Sequence, residues 1–311
     1  MNGDLNRRVP LKRGGAGESA GSMVYNFITL DVEEWYHANY EGVDFDHYRQ
    51  KGSRLARTVD RLIELYDRQK VKITCFVLGQ VAEEHPDLVR RLHDAGHEIA
   101  SHGCNHKLVY TMDPEEFRED LKRSCALLED ITGERVCGFR APSWSVTGSI
   151  RTWYYRTLEE QGLRYSSSVY PGKTFLYGIE GASDEPHFPE IQGRTVAVLE
   201  IPCPIVTILW KTMGFYIRLF PAWFMKRYIR AANKRGKPVF VYIHPREIDP
   251  DQHRLDLPFF TSMIHYWGIR GCEKKIERLT ANLNPTWCTM RDYVTRRGCA
   301  CSCSQAFQET C

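Results

Sequence analysis

Residues 27–37, F-I-T-L-D-V-E-E-W-Y-H, carry an apolar, β-prone run straight into three carboxylates. The run is too apolar for a solvated face, so it reads as a buried strand whose acids are partly desolvated. Buried carboxylates must be paired or bound to a cation. Strand alternation sends Asp31 and Glu33 to one side and Glu34 to the other. Glu33 is therefore the preferred metal ligand and Asp31 the preferred base. Glu34 stays open as the ligand, because a loop after the strand can break the alternation.

Outward from this segment, similar short apolar runs recur at Lys72–Gly79, Glu98–His102, Val136–Arg140, Tyr165–Val169, Val196–Pro202 and Val239–His244, the first itself spanning Val24–Val32. Helical apolar spacing occupies Leu55–Tyr66, Asp87–Asp94, Pro114–Leu128, Ile150–Leu158 and Ala222–Ala232. Pro86 and Pro114 suit first helical turns, and Gly96 and Gly133 suit helix ends. Strand alternating with helix predicts an α/β fold with parallel pairing, either a covered sheet or a barrel. Residues 24–250 read as this barrel, 251–290 as a helical C-terminal extension, 291–311 as a Cys-rich flexible tail and 1–23 as a disordered leader without a secretory apolar region.

The 311 residues carry 42 Lys and Arg against 39 Asp and Glu, a net charge of +3, with no basic run dense enough to suggest nucleic acid. Residues 205–225 approach the length of a bilayer span but contain Lys211, Arg218 and Pro221, which argues for a core insertion, a substrate flap or a peripheral membrane patch rather than a crossing helix. The 11 cysteines suggest reduced thiols and a cytoplasmic chain, and the C-x-C-x-C of the tail lacks the spacing of a structural zinc site. Oligomeric state is not legible.

Catalytic groups in such folds gather at the carboxyl ends of strands. There the sequence places I-A-S-H-G-C-N-H, with His102 and His106 four residues apart and expected to share one side of a helical turn. Two imidazoles and one carboxylate form a catalytic rather than a structural metal set, which suits hydrolysis of an acyl group. His244, at the end of V-F-V-Y-I-H, supplies an imidazole for proton transfer. Arg140, in C-G-F-R-A-P-S-W-S, needs a carboxylate if buried, and Asp31 is its natural partner. Pro142 stiffens the turn that follows, so the Ser143 N–H could face a developing oxyanion. Trp35, Tyr36, Trp144 and Trp210 are candidates for stacking on sugar rings, with core packing the equal alternative for each.

These motifs, in this order, resemble the polysaccharide deacetylase family with the NodB-homology domain. The resemblance runs over residues 24–248, and F-F-T-S-M-I-H-Y-W-G-I-R at 259–270 is similar to the C-terminal extension of the branch found in exopolysaccharide clusters. It implies a distorted (β/α) barrel, a divalent metal (zinc, with cobalt as an alternative) and N-deacetylation of an N-acetylhexosamine. In the roles it implies, Asp31 is the base, His244 the acid, and Glu33, His102 and His106 are the ligands. Two departures stand out: Ser166 occupies the position where an Asp often orients the acid, and the acidic ligand is Glu rather than Asp. Other readings are an N-deformylase or N-deacylase of a nucleotide- or lipid-linked amino sugar, and an inactive carbohydrate-binding barrel.

Overall fold

The computed structural model describes residues 24–172, 178–203, 216–281 and 287–297. Seven strands form one parallel sheet: β1 (Phe27–Val32), β2 (Thr74–Val77), β3 (Glu98–Ser101), β4 (Gly138–Phe139), β5 (Tyr165–Ser166), β8 (Leu199–Glu200) and β9 (Phe240–Ile243). They lie in the order β8-β5-β4-β3-β2-β1-β9. The short strands β6 (Glu190–Ile191) and β7 (Arg194–Thr195) pair only with each other, antiparallel. The edge strands β8 and β9 do not pair among the described residues, so the barrel is a half-barrel. All seven sheet strands fall within the apolar runs expected of them.

The chain order reverses around β1, with β2 on one side and β9 on the other. In parallel sheets the crevice at the carboxyl ends of the strands beside such a reversal is where ligands bind. Asp31 lies inside β1, opposite Phe76, and Glu33 follows its end, so the acids sit at that point.

The helices follow from their apolar spacing. Leu55–Gln69 buries Leu55, Val59, Leu62, Leu65 and Tyr66, an i, i+4, i+7, i+10, i+11 stripe. Burying each leucine contributes about 1.5–3 kcal/mol. Pro114–Thr132 starts where Asp113 accepts hydrogen bonds from the Glu115 and Glu116 N–H groups, with proline in the first turn, and ends at Gly133 with φ 71°. Gly138 has a different reason for being glycine: a Cβ there would lie 1.9 Å from Cζ of Tyr165.

Helices Phe259–Tyr266 and Cys272–Thr280 follow residue 250. Beyond them Met290–Arg296 is a helix packed under the sheet, inside the stretch expected from residue 291 as tail. The Met290 N–H donates to Thr74 Oγ1 at 2.9 Å, and the ring of Tyr293 meets Phe27 edge-on at 4.9 Å. Its partners open strands β2 and β1, so this helix covers the end of the sheet opposite the acids. The leader 1–23, Trp210 with most of the 205–225 patch, and the cysteines at 299, 301, 303 and 311 lie outside the described residues. The seven described cysteines are free thiols. No described helix is long and apolar enough to cross a membrane.

Candidate active site

Asp31 and Arg140 form the pair the sequence suggested. Arg140 Nη1 donates to Asp31 Oδ1 at 2.6 Å and to Thr29 Oγ1 at 2.9 Å, and Nη2 reaches Ser167 Oγ at 3.1 Å. The fully buried guanidinium also lies 4.0 Å over the Phe76 ring. A charge-assisted bond in a dry setting fixes one oxygen of Asp31. The other, Oδ2, faces His102 Nε2 at 4.0 Å.

Glu33 divides its two oxygens between two tasks. Oε2 lies 2.8 Å from His106 Nε2 and 3.8 Å from His102 Nε2, whereas Oε1 lies 2.7 Å from Arg246 Nη1 and 3.5 Å from His244 Nε2. Burial alone would raise this carboxyl, but the His106 and His244 imidazoles and the hydrogen bonds from His102 and His106 outweigh it and hold it well below the ordinary carboxylate range. Glu34 turns the other way: Oε2 accepts from the Arg54 N–H at 3.3 Å and Oε1 faces His85 at 3.8 Å. Strand alternation thus persists through the end of β1.

His102 and His106 converge on Glu33, but not on a helical turn. Residues 102–106 form a loop in which Gly103 (φ 76°) and His106 (φ 55°) take left-handed conformations. Two such reversals fold His106 back, and a left-handed non-glycine residue is strain of the sort found at functional sites. His102 Nδ1 lies 2.8 Å from the Arg140 carbonyl oxygen. A carbonyl only accepts, so Nδ1 carries the proton and Nε2 keeps its lone pair. Glu33, His102 and His106 are all buried, and one ligand atom from each lies within 4.8 Å of the others. Two imidazole nitrogens and a carboxylate oxygen suit zinc or cobalt, so the residues present fit a divalent cation.

His244 ends β9 with Nδ1 buried and without a hydrogen-bond partner. Burial and Arg246 push its imidazole well below the ordinary value, against the pull of Glu33. Ser166 does not stand in for an orienting acid, because its hydroxyl bonds Tyr154 Oη at 2.9 Å within the core. Sequence reasoning missed Arg246, the cation that holds the second oxygen of Glu33. It also missed His37, stacked on His106 at 5.5 Å, and His265, buried beside Tyr40 with its Nδ1 3.3 Å from the phenol oxygen. The signal for Arg246 was its place two residues beyond His244, in the turn that follows β9.

Pro142, Ser143 and Trp144 form a tight turn after Arg140, with φ of 53° at Ser143 and 49° at Trp144. Asn39 donates to Ser143 Oγ at 2.9 Å. Of the candidate sugar platforms, Trp35 and Trp144 take the core-packing alternative. Trp35 is buried, bonds the Gly52 carbonyl oxygen through Nε1 at 3.2 Å, and packs with Tyr36 and Tyr48 in a satellite core. Trp144 is buried edge-on against Tyr242 at 4.6 Å. Their large apolar faces gain more from the core than from water. A cavity of about 470 Å³ is lined by Tyr36, Phe45, Asp46, Arg49, Glu83 and Asn105, and of these the Phe45 ring also meets His106, at 6.2 Å between centroids.

Residues 44–165 match the family model described as polysaccharide deacetylase, and residues 167–295 match one described as a domain of unknown function (DUF3473). Residues 44–165 are thus similar in sequence to polysaccharide deacetylases. The two matches divide a single sheet: β5 pairs with β4 on one side and with β8 on the other. Asp31 and Glu33 precede the first match, and His244 and Arg246 lie in the second.

The chain is 29% identical over 157 residues to peptidoglycan deacetylase-like protein FGM2 of Gibberella zeae, covering 46% of this chain and 45% of that protein. It is 27% identical over 143 residues to a peptidoglycan deacetylase of Helicobacter pylori, covering 46% and 47%. The chain spans slightly under half the length of these curated relatives. Among solved structures, the allantoinase PuuE superposes with a TM-score of 0.58 at 17% identity, over 94% of this chain and 97% of that one. A probable polysaccharide deacetylase from Pseudomonas aeruginosa PAO1 superposes with a TM-score of 0.57 at 20% identity, over 87% and 89%. These two likenesses are of fold.

Proposed function

We propose that the protein is a divalent-metal-dependent carbohydrate N-deacetylase. The observation that carries this reading is a carboxylate oxygen and two imidazole nitrogens gathered beside an aspartate that a buried arginine holds in place. Bound by Glu33, His102 and His106, a zinc or cobalt ion would polarise the acyl carbonyl. Asp31, fixed through Oδ1, keeps Oδ2 turned toward the cluster and accepts the proton of the attacking water. His102 keeps its proton on Nδ1 and donates it to the Arg140 carbonyl oxygen in a hydrogen bond that holds the ring oriented. His244, across Glu33 from His106, is the imidazole placed to pass a proton to the departing amine, and the burial and Arg246 that disfavour its cation make it a ready donor once it has taken a proton up. The polar cavity lined by Phe45, whose ring also meets His106, and by Asp46, Arg49, Glu83 and Asn105 offers hydrogen-bonding groups to sugar hydroxyls. The names of the curated relatives, peptidoglycan deacetylases among them, support an N-acetylated glycan or its precursor as substrate.

The test is incubation with a panel of N-acetylated sugars and of nucleotide- or lipid-linked sugars, with zinc, cobalt or chelator, reading free amine. Activity that depends on metal and falls to background in His102→Ala and His106→Ala, with metal retention lost and helical circular dichroism kept, supports the reading. Full activity in chelator, or glycan binding without amine release, overturns it.

A further inference from the structure

We propose that the helix Phe259–Tyr266, together with Leu219 and Trp223, is a contact surface for an anionic lipid bilayer. The helix, F-F-T-S-M-I-H-Y, contains no Lys, Arg, Asp or Glu, yet one of its faces points outward. Phe259 and Phe260 are 76% and 72% exposed, and Met263, Ile264 and Trp267 continue the same side, also exposed. A surface helix of a soluble protein turns its charged face to water. Here the outward face is aromatic and aliphatic, and adjacent apolar exposure on this scale marks an interaction site.

A second element extends the patch. Arg218 Nη1 donates to the carbonyl oxygens of His265 at 2.6 Å and Trp267 at 2.9 Å, which docks Tyr216–Leu219 against the end of the apolar helix. Leu219 follows directly, 42% exposed, and Trp223 opens the next helix, Ala222–Asn233, 67% exposed. From Trp223 the exposed positions Arg227, Arg230 and Lys234 run at i+4, i+7 and i+11, a basic stripe leading away from the apolar ground. No salt bridge reaches these three among the described residues.

Charge selects the partner. Residues 201–246 contain nine Lys and Arg and no Asp or Glu, so the rest of the chain carries −6 against +3 for the whole. Aromatic and aliphatic groups that insert, bordered by basic groups that meet headgroups, are the chemistry of an interfacial helix on anionic lipid. A second copy of this chain fits less well, because two-fold pairing on this face would bring basic stripes toward one another. On the inner side of the same helix His265 is buried against Tyr40, close enough to Arg246 and Glu33 to feel their charges. Bilayer contact would therefore set the candidate active site just beneath the headgroups, which suits a lipid-linked or membrane-adjacent glycan.

The experiment is co-sedimentation of the full chain with vesicles of phosphatidylcholine alone and of phosphatidylcholine mixed equally with phosphatidylglycerol, with light scattering of the free protein alongside. The expected result is binding to the anionic vesicles, weakened by salt and reduced about tenfold or more in both Phe260→Ser/Ile264→Ser and Arg227→Glu/Arg230→Glu. All four positions face solvent, and circular dichroism confirms that the variants fold. Failure of the wild-type chain to bind anionic vesicles, or equal binding by either variant, overturns the proposal. So does a concentration-dependent dimer that the Phe260→Ser/Ile264→Ser variant abolishes. Neither readout needs catalysis, so the outcome is separate from that of the deacetylase assay.

Discussion

The carboxyl end of β1 and the opposite half of the sheet both bury carboxylates, but they solvate them differently. Asp31 and Glu33 are met by charged or chargeable nitrogen: Arg140, Arg246 and three histidines. Glu98 and Glu200 are held mainly by neutral donors. Glu98 accepts from Thr74 Oγ1 and Tyr165 Oη, each at 2.7 Å, and from the Arg291 N–H at 2.9 Å. Glu200 accepts from the N–H groups of Ser168 and Val169 at 2.8 and 2.9 Å and from Tyr155 Oη at 2.9 Å. Burial raises Glu98 above the ordinary carboxylate range, whereas the imidazoles around Glu33 push that group the other way. A buried acid is thus no mark of function by itself; what differs between the two sets is the charge of the partners.

That contrast breaks first at Asp31. Asp31→Asn keeps an acceptor for Arg140 but removes the proposed base, so kcat for amine release should fall by roughly 10²–10⁴-fold with the fold intact by circular dichroism. Retained activity would remove the distinction between the two halves of the sheet. On the other side, Glu200→Ala strands two N–H groups and a phenol in the core, so urea unfolding should show a loss of about 4 kcal/mol. Its kcat per folded molecule should stay near wild type, and a collapse of kcat without destabilisation would place Glu200 in the catalytic machinery.

A smaller effect sharpens the same point for histidine. His97 is buried with Nδ1 accepting from the Ile73 N–H at 3.3 Å and Nε2 unpartnered, and it has no carboxylate among its hydrogen-bond partners. Burial, helped by Lys72, lowers it from 6.5 to about 4. The folded state therefore binds this proton less readily than the unfolded chain. Its contribution is complete above pH 6.5 and is lost as pH falls toward 4, by up to about 3 kcal/mol. Denaturation curves across that window should flatten in His97→Gln; an unchanged slope would assign the pH dependence elsewhere.

Much of this was legible in the residues. Seven apolar runs gave seven strands, because strands of a covered parallel sheet are apolar on both faces. The helix starts at residues 86 and 114 showed in their prolines, and the Asp31–Arg140 pair followed from the cost of an unpaired buried guanidinium. Alternation along β1 separated Glu33 from Glu34. What stayed hidden depended on chain reversal or distant packing. The left-handed backbone at His106 leaves no trace in H-x-x-x-H, and the core around Trp35 draws on Tyr48 and Leu255 from far along the chain. Arg246, after His-Pro, reads as a turn exposed to water until the second oxygen of Glu33 is seen to need a cation.

Gly138 ties the two halves together. Its bare backbone lets the Tyr165 ring lie flush across β4, where the phenol reaches Glu98, and two residues later, just past the strand, the chain delivers Arg140 to Asp31. A single added methyl would have to wedge the ring aside and carry the guanidinium with it. A conservative-looking alanine at this position, remote from the acids at the end of β1, would therefore do its damage at long range.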